Sequence, residues 1–339
     1  MQNLPADSPA RVVQTLSGFH DAGALRAAID LDIFTRVGAG RRTAAELAAD
    51  AQADARGMRI LCDALVVMGF LARQGEGYAL PLVSQRYLDR NSPTYIGSIS
   101  RIVTHELMWR AYYDAAAAVR RGGTLLDKNA LTPDHPFWVE FAEALAPVAR
   151  LTAPQMAEVL GAGRAGRQGL QVLDIACGSG YYGFAIAQRD PAAQVTSVDW
   201  PTVLERTRRC AQEAGVAERV RYLPGSMFDV DYGEGYDLAL LTNIYHHFDR
   251  PDCLRLTQKV AQALKPGGRA ALLEFVPEDD RSGPYESVMF SLTMLLWTPA
   301  GEAYRLADYR PILEAAGFGD VVLHRLEPNA HRVIVATRG

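Results

Sequence analysis

The sequence predicts an α/β protein, in which an open, mostly parallel sheet wound with helices follows a mostly helical N-terminal region. Three observations carry this. A short apolar run over 171–176 breaks on glycines at 178, 180 and 183, and a helical pattern opens near Tyr181. A second β-rich run ends on Asp199, 25 residues after Asp174. From there β-rich and helical runs alternate, as in a sheet with helices on both faces. At 339 residues the chain is long enough for two domains with substantial cores.

The region before about residue 150 is alanine-rich and helical by apolar spacing. Over 11–31 the apolar positions are Val12, Val13, Leu16, Phe19, Leu25, Ala28 and Ile29. Thr43 with Glu46 three residues later forms a capping-box pattern that opens T-A-A-E-L-A-A-D. Asp54 begins the next helix, through Met58, Leu61, Leu65 and Met68, and Gly69 ends it. F-L-A-R-Q-G-E-G-Y-A-L-P then reads as two short strands around a Gly-Glu-Gly turn. Two helices and a β-wing make a winged helix. Further helices are predicted over 93–121 and 136–160, carrying Met108, Trp109, Tyr112, Tyr113, Phe137, Trp138 and Phe141. The glycine-rich stretch 161–169 leads into the sheet, which places the domains at 1–150 and 151–339.

In the second domain, strands are predicted near 171–176, 194–198, 219–223, 236–241, 269–276, 320–325 and 332–337. Helices fall near 181–189, 202–214, 251–264 and 307–316. The last two strands are joined by a short hairpin, E-P-N-A-H, so a seven-stranded sheet would end on an antiparallel strand.

Composition narrows the function. The net charge is −4 with no basic block, which argues against nucleic acid and anionic lipid as partners. Residues 1–90 hold ten arginines, no lysine and ten acids, so the winged helix lacks the basic face that phosphate binding needs. No apolar run is long enough to span a bilayer. M-Q-N-L-P-A-D lacks a charged and an apolar region, so a cytoplasmic protein is expected. Cys62, Cys177, Cys210 and Cys253 form no C-x-x-C pair and read as reduced thiols, with no metal site expected.

Glycines at a strand end let a ligand approach the backbone, with a helix N-terminus behind it. An acid at the tip of the next strand can accept both hydroxyls of a ribose. A nucleoside-containing cofactor is implied. Gly178, Gly180 and Gly183 satisfy the dinucleotide pattern G-x-G-x-x-G, but Asp174 and the terminal hairpin tell against a nicotinamide enzyme. D-I-A-C-G-S-G at 174–180 resembles the D/E-x-G-x-G-x-G loop of class I S-adenosylmethionine-dependent methyltransferases. Those enzymes have a Rossmann-like seven-stranded sheet. The N-terminal region is similar to the winged-helix dimerisation domain of the plant and bacterial small-molecule O-methyltransferases.

The resemblance implies S-adenosylmethionine as cofactor, a small-molecule acceptor and a homodimer. It implies that Asp174, Gly178, Ser179 and Gly180 hold the methionyl part, and Asp199, with Trp200 beside it, the ribose. L-P-G-S-M-F-D resembles the family's G-D-M-F segment, so Ser226, Met227 and Phe228 would frame adenine, with Ser226 in place of the usual acid. Asn243 would sit between cofactor and acceptor. N-I-Y-H-H-F-D lies where the plant enzymes have V-L-H-D-W, which makes His246 the candidate base, with His247 replacing Asp. Glu274 matches an acid that holds the catalytic histidine, whereas Ala303, with Glu302 beside it, stands at a second such acid. Met108, Trp109, Phe137, Phe141, Met289, Met294 and Trp297 would line the acceptor pocket. Methylation of C, N or S on the same scaffold, with no general base, remains open at this point, as does a cofactor-sensing regulator.

Overall fold

The computed structural model describes residues 7–127, 131–132, 135–326 and 330–339. They divide into two compact units, with the boundary between Glu106 and Leu107.

The first unit begins with α1 (Pro9–Leu16), capped by the Ser8 hydroxyl, and α2 (Phe19–Asp30). The single helix expected over 11–31 is thus split at Ser17 and Gly18, where the Gly18 N–H turns back to the Thr15 carbonyl. Next come α3 (Ile33–Gly38), α4 (Ala44–Asp50) and α5 (Ala55–Val67). The capping box is formed as read: the Thr43 hydroxyl accepts from the Glu46 N–H at 3.2 Å, and the Glu46 carboxylate accepts from the Thr43 N–H at 2.9 Å. The wing is an antiparallel pair, β1 (Ala72–Gln74) and β2 (Gly77–Ala79), with Arg73 opposite Tyr78. Short helices α6 (Leu82–Tyr87) and α7 (Ser100–Val103) close the unit. Phe34, Leu47, Met58, Cys62, Leu65 and Tyr78 form its core. Arg59 and Arg73 are both paired with Asp63.

The second unit takes in α8 (Glu106–Tyr113), α9 (Ala115–Arg121) and α10 (Phe137–Val159). The helix expected over 93–121 is therefore several pieces, interrupted at Thr104 and Asp114 and stopped by Gly122 in the left-handed region. The compact units divide earlier than residue 150 because α10 packs on the sheet domain: the Thr152 hydroxyl meets the Tyr182 hydroxyl at 2.8 Å.

The sheet strands are β3 (Gln171–Ile175), β4 (Gln194–Asp199), β5 (Val220–Pro224), β6 (Tyr236–Thr242), β7 (Leu264–Phe275), β8 (Phe318–Arg325) and β9 (His331–Arg338). Their order is β5-β4-β3-β6-β7-β9-β8, parallel except for β9, which runs antiparallel to both its neighbours. The connecting helices are α11 (Tyr181–Arg189), α12 (Pro201–Glu213), α13 (Arg250–Ala263), α14 (Tyr285–Trp297) and α15 (Leu306–Ala315). Strand and helix positions follow the sequence reading closely, except that β7 starts at Leu264 and α14 was not foreseen. The α14 sequence, YESVMFSLTMLLW, is apolar nearly all round and so lacks the one-sided stripe that marks a helix. Of the expected E-P-N-A-H turn, 327–329 lie outside the described residues; the antiparallel pairing of β8 with β9 is present.

Successive strand residues feed opposite faces of the sheet. Val172, Leu238 and Leu240 pack under α10 and α11, and Leu173, Ile175 and Leu241 pack on the other side with Leu256 and Leu272. Strand order reverses between β3, which leads outward to β4, and β6, so the ligand crevice of such a sheet lies beyond the C-terminal ends of these strands.

Candidate active site

The loop after β3 is held by acids and backbone. Asp199, at the end of β4, accepts the Gly178 N–H at 2.8 Å on one oxygen and the Trp200 N–H at 2.7 Å on the other. Ala176, Gly178 and Gly180 all have positive φ, 52°, 54° and 79°. A Cβ on Gly180 would fall 2.3 Å from the Phe184 ring, so that position tolerates no side chain. Asp174 is buried; one oxygen accepts the Gly183 N–H at 3.3 Å, and Oδ1 has no hydrogen-bond partner. Burial pushes its carboxyl well above the usual carboxylate range, and Asp199 adds to this.

After β5, the Ser226 hydroxyl accepts the Phe228 N–H at 3.2 Å, which ties it into the turn. The Met227 carbonyl accepts from the Tyr232 hydroxyl. Phe228 lies edge-on to Phe248 at 5.1 Å, with the Arg255 guanidinium over its ring at 4.2 Å.

The other half of the edge begins where β6 ends. Asn243 has φ 54°, and its N–H donates to the Leu273 carbonyl at 2.8 Å. A single 3-10 turn, Tyr245–His247, follows and buries both histidines. Glu274, at the end of β7 and fully buried, accepts the Ile244 and Tyr245 N–H groups on Oε1 at 2.9 and 2.8 Å. Its Oε2 is hydrogen-bonded to His246 Nδ1. At the second helper position no acid reaches this pair: position 303 is a buried alanine, and Glu302 beside it pairs with Arg281 at 2.7 Å. Gly301 is packed against the histidine turn, since a Cβ there would lie 2.1 Å from the His246 carbonyl oxygen.

His247 lies beside His246 and under Trp138, with ring centroids at 4.4 and 5.4 Å. Burial, and then His246, hold it well below the ordinary histidine range, so it is neutral; its Nδ1 has no partner. Trp138 touches Phe137 and Phe141, and Phe137 reaches Trp297 at 5.1 Å. Met294 is buried on α14 and Met289 half-buried, but the α14 ring at His246 is Phe290, at 4.7 Å. Met108 and Trp109 sit on α8, whose Ala111 packs on Leu296; Trp109 is 38% exposed.

Four features escaped the sequence reading: the left-handed Ala176, the ring of Trp138 on His247, Phe290, and His331. The last is the first residue of β9, opposite Phe275, and its Nε2 lies 3.1 Å from Asn243 Oδ1. Only the strand register brings it there, and no local motif announces it.

A family model for the O-methyltransferase domain matches residues 129–319, and one for the O-methyltransferase dimerisation domain matches 13–90. The chain belongs to the O-methyltransferase family. A solved structure from Nostoc punctiforme, described as a candidate O-methyltransferase, is 39% identical to this O-methyltransferase family member. That match covers 98% of this chain and 100% of the other, with a TM-score of 0.92. The 3-hydroxy-5-methyl-1-naphthoate 3-O-methyltransferase of Streptomyces sahachiroi is 26% identical over 97% of this chain and 95% of its own. Human N-acetylserotonin methyltransferase, solved in complex with S-adenosylmethionine, shares the fold: TM-score 0.87 at 23% identity, with both chains covered in full.

The cofactor of this methyltransferase is S-adenosylmethionine. The residues fit it. The unpartnered Oδ1 of Asp174 is a buried acceptor waiting for a donor, and a Cβ on Gly178 would meet nothing within 4 Å, leaving the loop backbone open to a ligand. No helix among the described residues is long and apolar enough to cross a membrane, and no group of metal-ligating side chains is found among them. The four cysteines are free and buried.

Proposed function

We propose that the enzyme methylates a hydroxyl oxygen of a flat, small-molecule acceptor and that His246 is its general base. The observation that carries this is the buried Glu274–His246 pair. Glu274 is fixed by two backbone N–H groups and hydrogen-bonded to Nδ1, which assigns the proton there and leaves the Nε2 lone pair to take a proton. When bound, the cofactor supplies a methyl carbon already activated by its sulfonium. As the acceptor oxygen gives up its proton, His246 Nε2 takes it, and the imidazolium so formed is stabilised by the carboxylate behind it. Asp174, Gly178, Ser179 and Gly180 would hold the methionyl part, Asp199 and Trp200 the ribose side, and Ser226, Met227 and Phe228 the adenine.

Phe137, Trp138, Phe141 and Trp297 form a contiguous aromatic cluster that reaches His247 and would exclude water around a flat substrate. The naphthoate and acetylserotonin acted on by the relatives are substrates of that shape. The test is incubation of a metabolite extract with labelled S-adenosylmethionine, followed by mass spectrometry of the products. Label recovered on carbon, nitrogen or sulfur instead of oxygen would overturn the assignment.

The enzyme's assembly is proposed to be a homodimer in the cytoplasm. Besides the match to the dimerisation domain, α1 leaves Val12, Val13 and Leu16 61%, 64% and 74% exposed, and Phe19 follows at 55%. A contiguous apolar run of this kind marks an interaction surface. Light scattering at micromolar concentration should give twice the chain mass; a monomer would reject the dimer.

A further inference from the structure

The Asn243 side chain is not free to choose which end it shows. Its Oδ1 faces His331 Nε2 at 3.1 Å, and an amide oxygen can only accept, so the imidazole carries its proton on Nε2. Burial, and then the nearby His246, push His331 down to about 4, so the ring is neutral near pH 7 and has a single N–H to give. That N–H is spent on Asn243. With Oδ1 turned to His331, the end of the amide that faces away is Nδ2, a donor.

Asn243 is also the residue on which the chain leaves the sheet. It takes a left-handed conformation and is followed by the turn that bears His246. Its main chain is tied to β7 through Leu273, and its side chain is tied to β9 through His331. The His331 ring lies against Phe275 at 4.2 Å, Phe275 against Phe290 at 4.2 Å, and Phe290 edge-on to His246 at 4.7 Å. The imidazole thus lies against the Phe275 ring, and among the described residues its hydrogen-bond partner is Asn243.

We propose that His331 is a positioning residue that locks the Asn243 carboxamide with its N–H donors, not its oxygen, available at the reacting end of the sheet. This rests on the reading of His246 as the base and of this edge as the place where acceptor meets cofactor. A donor beside the base would orient the acceptor oxygen through its lone pair while His246 removes the proton; an acceptor there would compete with His246 for the same proton.

The experiment uses the full-length enzyme and two substitutions. His331→Phe keeps a planar ring against Phe275 but has no N–H; His331→Gln places an amide nitrogen near the position of Nε2 and restores the donor. Methyl transfer to 3-hydroxy-1-naphthoate as probe acceptor should fall about 10- to 100-fold in kcat in His331→Phe. S-adenosylhomocysteine affinity by calorimetry should be unchanged in that variant, and His331→Gln should recover most of the loss. Long-range 1H–15N correlation of the wild-type imidazoles should show His331 neutral and protonated on Nε2. Equal losses in the two variants would reduce His331 to packing, and an Nδ1-protonated or charged His331 would overturn the proposal outright. If the wild type transfers no methyl to the probe, that counts against the acceptor reading above, and the tautomer measurement alone decides this one.

Discussion

On the β3–β4–β5 half of the sheet edge, polar side chains are met by backbone; on the β6–β7–β9 half, side chains from separate strands also meet one another. Asp199, Asp174 and Ser226 each accept main-chain N–H groups from turns of their own half. His246, by contrast, is held by Glu274 from the next strand, and Asn243 by His331 from the last one, 88 residues away. The first half is a cradle whose shape follows from turn geometry, suited to a ligand common to a whole family. The second is assembled from side chains on separate strands, where one substitution changes the chemistry. Departures from the family pattern occur on both halves: Ser226 for an acid in the cradle, and His247 for Asp and Ala303 for an acid on this side.

The largest effect that tests this contrast is His246→Gln. It should cut kcat by roughly 10²–10⁴, the usual worth of a general base, and leave S-adenosylhomocysteine binding intact. His247→Gln should cost far less, because His247 has no carboxylate behind it. Small and equal losses in the two variants would erase the chemical distinction drawn for the β6–β7–β9 half.

Asp199→Ala should act on the cradle and so on affinity. Loss of charge-assisted bonds costs about 1.5–3 kcal/mol, roughly 10- to 150-fold in cofactor Kd by calorimetry. Part of this arises because the Gly178 N–H loses its acceptor. An unchanged Kd would remove Asp199 from its assigned role.

Asp174→Asn should move two observables in opposite directions. Removing a buried carboxylate with an unpartnered oxygen should raise the melting temperature of the cofactor-free protein by a few degrees, about 1 kcal/mol, while weakening S-adenosylmethionine binding several-fold. Both changing in the same direction would mean that Oδ1 serves the fold and not the ligand.

The smallest effect is acid sensitivity. Burial keeps His331 and His247 neutral when folded, with the His331 value at about 4. Between that value and the ordinary histidine value near ~6.5, the unfolded chain binds more protons than the folded one. Their contribution to stability is therefore complete above about 6.5 and is lost as pH falls toward 4. Asp174, whose carboxyl is raised, works in the opposite sense. The measure is thus the difference between proteins: His331→Gln should lose fewer degrees of melting temperature between pH 7 and pH 5 than the wild type. Identical losses would show that His331 is already charged in the fold.

By itself the sequence determined what local rules govern. The Thr43–Glu46 capping box, the wing after Gly69, and the strands that carry Asp174 and Asp199 all depend on residues a few positions apart. Glycines at 178 and 180 likewise report a turn that the backbone alone requires. Where local signals conflicted, the reading slipped: Ser17 and Gly18 broke an otherwise continuous apolar stripe, and α14 was too uniformly apolar to show a helical face. His246 and Glu274 were legible because they sit in short segments that resemble a known family. Only the tertiary structure decided that Oε2 of Glu274 takes His246 Nδ1, that Glu302 turns away to Arg281, and that Trp138 covers His247. It alone placed His331 on Asn243, because the antiparallel register of β9 against β7 sets that side chain beside Phe275. Strand register is fixed by hydrogen bonds and packing summed over the whole sheet, so no window of neighbouring residues contains it.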